Sequence, residues 1–243
     1  MKYSPWMFPD EPTLQSECFQ CFKSSDSVFH YLSSEELSDL LKIVTPKTYG
    51  KGETLYHEGG KITGAYCVFS GIIKIYKTGF DGKEQIIMFA KKGDIIGYRS
   101  VLANELACTT SKILEESKLC FIPASVLIRL IKQNAVFSLE MMKLACKELG
   151  EANQYITDLA QKSVKERLAE ILLHLADSFG LDDKNTLKIV LTREELSNIV
   201  GTATESVIRL LSEFKQNGLI DLQGRKILLL DVQGLKHISN AFS

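Results

Sequence analysis

LTREELSNIVGTATESVIRLLSEFKQNGLI, residues 191–220, is the stretch on which the reading of this chain turns. Thr192-Arg193-Glu194-Glu195 fits a capping box, in which a threonine hydroxyl and the glutamate three residues on satisfy the first free N–H groups of a helix. The helix it opens runs through Val200 and buries Leu196, Ile199 and Val200. Gly201-Thr202 makes a tight turn. Thr202-Ala203-Thr204-Glu205 fits a second capping box, and Val207, Leu210, Leu211 and Phe214 give the second helix its apolar face. Two short capped helices joined by a glycine turn predict a helix-turn-helix. Leu219–Leu222, Gln223-Gly224 and Arg225–Leu230 add a hairpin, a wing, behind it.

In a unit of this kind the second helix fits the DNA major groove, with its N-terminal residues facing base edges. That face carries Thr202, Thr204, Glu205, Ser206 and Arg209. Arg209 can pair with guanine O6 and N7, and Glu205 can accept from cytosine N4. Lys215, Arg225 and Lys226 can meet phosphates, which position the protein without specifying sequence. A second reading stays open, because such units also occur as plain packing modules. Residues 163–243 hold ten Lys and Arg against eleven Asp and Glu, so the region is not basic overall. Glu205 would then be only a cap and Arg209 only a solvated side chain.

Upstream, a helix spans about Ser163 to Phe179, ended by Gly180, and Lys188–Leu191 is strand-like. A long helical stretch precedes these, from about Ala135 to Gln161. Its one glycine, Gly150, costs ~1 kcal/mol relative to alanine. Leu139, Met142, Cys146, Leu149, Asn153 and Ile156 recur at alternating spacings of three and four, a seam of about three heptads. An Asn at one seam position fixes register and favours two strands. The seam reads as a homodimer interface. The competing reading is a core helix, for which Leu144 and Ala145 offer a second face.

From about 47 to 125 the texture is different. Glycines at 50, 52, 59, 60, 64, 71, 79, 82, 93 and 97 separate short β-rich runs: Glu53–His57, Ala65–Phe69, Ile72–Lys77, Glu84–Phe89, Ile95–Ile96, Thr109–Leu114 and Lys118–Ile122. Strands at this spacing with turn signals predict an all-β sandwich or barrel. Asp81-Gly82 suits a hairpin turn. Before this region, Ser33 or Ser34 caps a short helix that Pro46 stops, and residues 1–25 read as an irregular lead.

Composition excludes several classes. The chain has 243 residues, net charge −1, 45% hydrophobic and 24% charged residues, a soluble globular profile. No apolar run approaches the ~18 residues of a membrane span. The N-terminus lacks the basic start and apolar core of a secretory signal, which predicts a cytoplasmic protein. There is no G-x-S-x-G, P-loop or H-E-x-x-H, and the four histidines lie far apart, so no catalytic residue is assigned and an enzyme is not expected. Six cysteines are too sparse for a disulfide scaffold. They read as free thiols, or some of them as metal or cluster ligands.

At this point the chain resembles the CRP/FNR family of transcription regulators from about residue 25 to 235, most closely over 191–220. The resemblance implies an α+β fold: a double-stranded β-helix, a jelly-roll-like β-roll sensor, over 26–133; a dimerisation helix over 134–162; and a winged helix-turn-helix over 163–243. It implies a homodimeric, sequence-specific regulator on a palindromic DNA operator, with RNA polymerase as a further partner. The alternative is a ligand-binding β-roll whose helix-turn-helix mediates protein contacts. Family members read DNA with a Glu and an Arg four residues later, here Glu205 and Arg209. The FNR branch has E-x-x-S-R, whereas Ile208 stands before Arg209 here. The Arg that CRP proteins carry before the Glu is Thr204.

The same resemblance bears on the signal. Cyclic-AMP binders carry a Gly-Glu after the turn seen here as Gly93-Asp94-Ile95-Ile96-Gly97, and an Arg-Ser about ten residues later. Here Tyr98 replaces the Glu, Ala107-Cys108 the Arg-Ser, and Arg99 is displaced. The effector pocket is therefore placed at Gly97, Tyr98, Arg99, Cys108 and Thr109, with no tight cyclic-nucleotide binding. The FNR branch holds a [4Fe–4S] cluster on three N-terminal cysteines and one in the β-roll. Cys18 and Cys21 resemble the N-terminal C-x-x-C, and Cys120 in KLCFIP the β-roll ligand. The third N-terminal cysteine is missing, and Asp26 is the candidate in its place. Cys67, Cys108 and Cys146 read as structural, and a plain Cys18/Cys21 thiol switch remains a further option.

Overall fold

The computed structural model describes residues 14–239. The chain enters on α1 (Leu14–Lys23), a 3₁₀ turn (Val28–Tyr31) and α2 (Ser34–Leu41). Eight strands follow: β1 (Thr45–Tyr49), β2 (Thr54–Tyr56), β3 (Gly64–Ser70), β4 (Ile73–Thr78), β5 (Glu84–Ala90), β6 (Ile95–Ile96), β7 (Thr110–Ile113) and β8 (Ser117–Pro123). A short α3 (Tyr98–Ala103) lies between β6 and β7. Then come α4 (Ala124–Gln133), α5 (Ala135–Gln161), α6 (Val164–Phe179), α7 (Arg193–Val200) and α8 (Thr204–Gln216). The hairpin β9 (Ile220–Gln223) and β10 (Lys226–Leu229), and α9 (Val232–Ile238), end the described residues. The chain divides into two compact units. One runs to Lys77 and resumes over Ile87–Glu148; the other takes Thr78–Ile86 and Leu149 onward.

In the first unit two four-stranded sheets, ordered β1-β8-β3-β6 and β2-β7-β4-β5, face each other as a β-roll. Side chains of a strand alternate between faces, and β3 and β8 divide their residues accordingly. Val68 and Leu119 enter the core between the sheets with Ile73, Ile75 and Ile113. Ala65, Cys67, Cys120 and Ile122 point the other way, into a second core closed by Phe22, Phe29, Leu37 and Leu40 from the N-terminal segment and by Leu127 and Phe137. Ser33 and Glu36 form a full capping box on α2. The lead that reads as irregular thus holds a helix, α1, whose Cys18, Cys21 and Phe22 belong to this core. Pro46 does not simply end a helix: it lies in β1, paired only with β8 at the sheet edge, where a missing N–H is tolerated.

In the second unit, Ser163 caps α6 with Glu166 in a second full capping box. Leu168, Leu172, Leu175, Leu196, Val207, Leu211 and Phe214 are buried. Lys188–Leu191 is not a strand. The nearest pairing is two isolated bridges, Leu181 to Leu187 and Thr186 to Leu228. Among the described residues no helix is long and apolar enough to cross a membrane.

Candidate nucleic-acid interface

α7 begins as its sequence requires. The Thr192 hydroxyl accepts from the Glu195 N–H at 3.0 Å, and the Glu195 carboxylate accepts from the Thr192 N–H at 2.8 Å. The helix ends at Gly201, whose φ of 72° is left-handed, a conformation that glycine adopts without a steric penalty. A Cβ there would also lie 2.9 Å from the Leu159 side chain. Thr202 is not the cap of α8, contrary to the second capping-box reading. That position is Ala203, with no side-chain bond. The Thr202 N–H instead turns back to the Ser197 carbonyl at 3.1 Å, which shifts the helix start one residue. Thr204 is the first helical residue, its hydroxyl 3.0 Å from that of Ser197.

α8 divides sharply. Val207, Leu210, Leu211 and Phe214 are buried, while Glu205, Ile208 and Arg209 are exposed, with Thr204 and Ser206 half-buried beside them. Glu205 and Arg209 are four residues apart, one turn of a helix, so they share the exposed face. Arg225 and Lys226 are exposed at the wing turn, which the Arg193 guanidinium holds by donating to the Gly224 carbonyl at 3.0 Å. Lys215 is exposed but ion-paired to Asp221 at 2.7 Å, and that contact holds the Asp221 carboxyl below the usual carboxylate range.

Two supports of the turn were not visible in the sequence pattern. Arg167 of α6 is buried and donates to the carbonyls of Val200 (3.0 Å), Gly201 (3.4 Å), Lys162 (2.7 Å) and Leu159 (3.4 Å). The Thr78–Ile86 segment reaches the same place. Lys83 donates to the Thr202 carbonyl at 2.7 Å, and Gln85 donates to the Tyr155 hydroxyl and to the Asn198 carbonyl. Tyr155 in turn donates to the Ile199 carbonyl at 3.1 Å.

The five effector candidates lie together. Gly97, Tyr98, Arg99, Cys108 and Thr109 line one pocket of the first unit with Tyr56, Met88 and Glu148. Tyr98 is buried and fills it. Burial and the Glu148 carboxylate push its phenol well above the usual range. Arg99 pairs with Glu148 at 3.5 Å, so it is engaged rather than free for a phosphate. The space left is about 20 Å³, roughly room for one water.

The metal candidates are rearranged. Cys18 and Cys120, expected as thiols or cluster ligands, are joined in a disulfide. Asp26 is exposed at a turn. The residue beside Cys21 is instead Cys67, sulfur to sulfur 3.8 Å. That contact holds the Cys21 thiol below its ordinary range, while it and burial push Cys67 up. Cys108 and Cys146 are exposed.

Comparison with known proteins adds to this geometry. Residues 46–134 match the cyclic nucleotide-binding domain and residues 166–238 the Crp-like helix-turn-helix domain. "Electron transport regulator A" of Shewanella oneidensis is 30% identical over 217 residues, covering 88% of this chain and 86% of that protein. The chain belongs to the CRP/FNR family of transcription regulators. A second relative of this CRP/FNR chain, "Transcriptional activator protein FnrA" of Stutzerimonas stutzeri, is 28% identical over 91% of each chain. A crystal structure described as a putative CRP/FNR regulator from Eubacterium rectale shares the fold. Its TM-score is 0.73 at 22% identity, over 88% of this chain and 97% of that one. The CRP/FNR chain is accordingly a DNA-binding transcription regulator with a cyclic-nucleotide-binding-type sensor domain, and not an enzyme.

Proposed function

We propose that this regulator acts in the cytoplasm as a homodimer, reading an inverted-repeat operator with Glu205 and Arg209 of each copy. The observation that carries the reading is the division of α8: four apolar side chains anchor one face, and Glu205 and Arg209 stand exposed on the other. Arg209 offers two donors to a guanine edge. Thr202, Thr204 and Ser206 border it. Arg225 and Lys226 meet phosphates from the wing, and Lys215 does so by exchanging Asp221 for a phosphate oxygen. RNA polymerase is the partner through which bound protein alters transcription. With a net charge of −1, non-specific attraction to the phosphate backbone is weak, which leaves more of the affinity to base contacts.

Selection of bound DNA from a random pool by the full chain tests this. Inverted repeats with half-site centres about 34 Å apart are the expected enrichment. A pool without them refutes the reading. Arg209→Ala is expected to cost about 1–3 kcal/mol of binding and to relax one position of each half-site. Unchanged preference in that variant would remove Arg209 as a base reader.

The signal is read in the first unit, and we place the effector pocket at Gly97, Tyr98, Arg99, Cys108 and Thr109. A cyclic nucleotide is not the effector. Its ribose and phosphate would need the space that Tyr98 fills and the guanidinium that Glu148 holds. Calorimetry with cyclic AMP and cyclic GMP is expected to give no saturable heat at micromolar ligand, and micromolar affinity for either would overturn this assignment.

A further inference from the structure

We propose, on the footing that α8 reads bases from the major groove, that Ile208 is a specificity-determining residue and that it reads the 5-methyl group of a thymine in each half-site. A helix turns about 100° per residue, so Ile208 lies about 60° to one side of Glu205 and Arg209 about 40° to the other. The three share one exposed face, with Ile208 48% exposed at its edge. Other apolar residues of the helix are committed to the core: Val207, Leu211 and Phe214 are at most 1% exposed. Folding does not need Ile208 in the same way.

A lone apolar side chain is ordinary on a protein surface; what distinguishes Ile208 is its company. Thr204, Ile208 and Ser212 are spaced four apart and form a row beside Glu205 and Arg209. The Thr204 hydroxyl is 3.0 Å from that of Ser197, and the Ser212 hydroxyl donates to the Ile208 carbonyl at 3.0 Å. Both hydroxyls are engaged within the protein, so the branched alkyl group of Ile208 is what this row presents outward. Side chains on a helix lean toward its N-terminus. Ile208 therefore leans toward Thr204, into the part of the helix that faces base edges.

The chemistry of the groove selects the partner. Ring nitrogens, carbonyl oxygens and exocyclic amines line the major-groove edges, and the thymine methyl is the one apolar group among them. The Ile208 side chain neither donates nor accepts a hydrogen bond. Set against a purine or cytosine edge, it strips water from a polar group and returns no bond, which is unfavourable. Set against a thymine methyl, it removes apolar surface from water on both sides. A thymine beside the guanine that pairs with Arg209 is the base identity this side chain adds to each half-site.

The test uses the full chain and the operator it selects from a random pool. Each thymine of one half-site is replaced in turn by deoxyuridine, which keeps the pairing and the O4 acceptor and lacks only the methyl. Wild-type protein is expected to lose about three- to fivefold in affinity at one thymine, next to the guanine whose preference Arg209→Ala relaxes, since that is the worth of one methyl taken from water. Ile208→Val is expected to keep most of this loss, and Ile208→Ser to bind the thymine and uracil sites within about 1.5-fold of each other. Should Ile208→Ser fail to fold, Ile208→Gln takes its place with the same expectation. No uracil loss at any thymine in wild-type protein, or a loss that persists in the serine or glutamine variant, overturns the role of Ile208. In that case an inverted repeat that still depends on Arg209 keeps α8 as the reading helix. A pool with no inverted repeat overturns both.

Discussion

The double change Leu149→Arg, Ile156→Arg is expected to leave a folded chain that no longer pairs and that binds its operator about 10²–10⁴-fold more weakly. The physical ground is the exposed stripe of α5. Leu139, Met142, Leu149 and Ile156 are 47%, 57%, 62% and 63% exposed, at the spacing of a heptad seam. Fully burying such a side chain is worth about 1.5–3 kcal/mol, so a second copy of the stripe is a strong covering surface. Cys146 and Asn153 complete it, the latter able to fix register. The helix also has a packed side, because Phe137, Met141, Leu144 and Ala145 join the core of the first unit. The two readings of this helix in the sequence are therefore compatible: one face holds its own core while the other stays free. Arginines at two seam positions would confront their like-charged copies across a two-fold axis. Pairing makes the second half-site contact intramolecular, and losing it forfeits avidity of the size stated. Sedimentation and operator titration measure both effects. A variant that remains a dimer would place the interface elsewhere.

What the sequence could disclose followed from local rules. The caps at Ser33 and Thr192, the glycine at 201, the α5 boundaries and most of the β-roll strands are all written in short-range pattern, and the structure keeps them. The apolar face of α8 was equally legible, since helical period alone separates Val207 and Leu211 from Glu205 and Arg209. What failed were features set by distant partners. β1 was hidden by Pro46, which only an edge position permits. The Asp81-Gly82 turn was readable, but not that its neighbours Lys83 and Gln85 reach residues 119 and 113 positions away. The surroundings of Cys67 were hidden because no other cysteine lies near it in sequence. Its neighbours Cys21 and Cys120 are supplied by a helix and by cross-strand register. Thr202 misled in the other direction: it matches a capping box, yet the left-handed glycine before it moves the cap to Ala203.

Arg167→Met is expected to destabilise the helix-turn-helix by about 2–4 kcal/mol and to weaken operator binding with it. Arg167 is 9% exposed, and its guanidinium stays charged at any working pH. A charge so placed needs compensation, and four carbonyls provide it. Leu159 and Lys162 stand at the C-terminal end of α5, and Val200 and Gly201 at that of α7, so Arg167 faces the negative ends of two helix dipoles. Methionine keeps much of the volume but donates nothing. Hydrogen bonds to charged groups are worth about 1.5–3 kcal/mol each, and acceptors left buried add their own desolvation cost. Relaxation of the turn returns part of this, which sets the lower end of the range. Lysine retains the charge without the planar fork, so Arg167→Lys should recover only a fraction. Because the chain has two units, a single unfolding midpoint would blend them, and amide hydrogen exchange is the appropriate measurement. At about 1.4 kcal/mol per decade, amides over Leu196–Phe214 should exchange roughly 30- to 700-fold faster in Arg167→Met while those of β3 and β8 stay unchanged. Exchange within threefold of wild type across α7 and α8 would show that the guanidinium does not hold the turn.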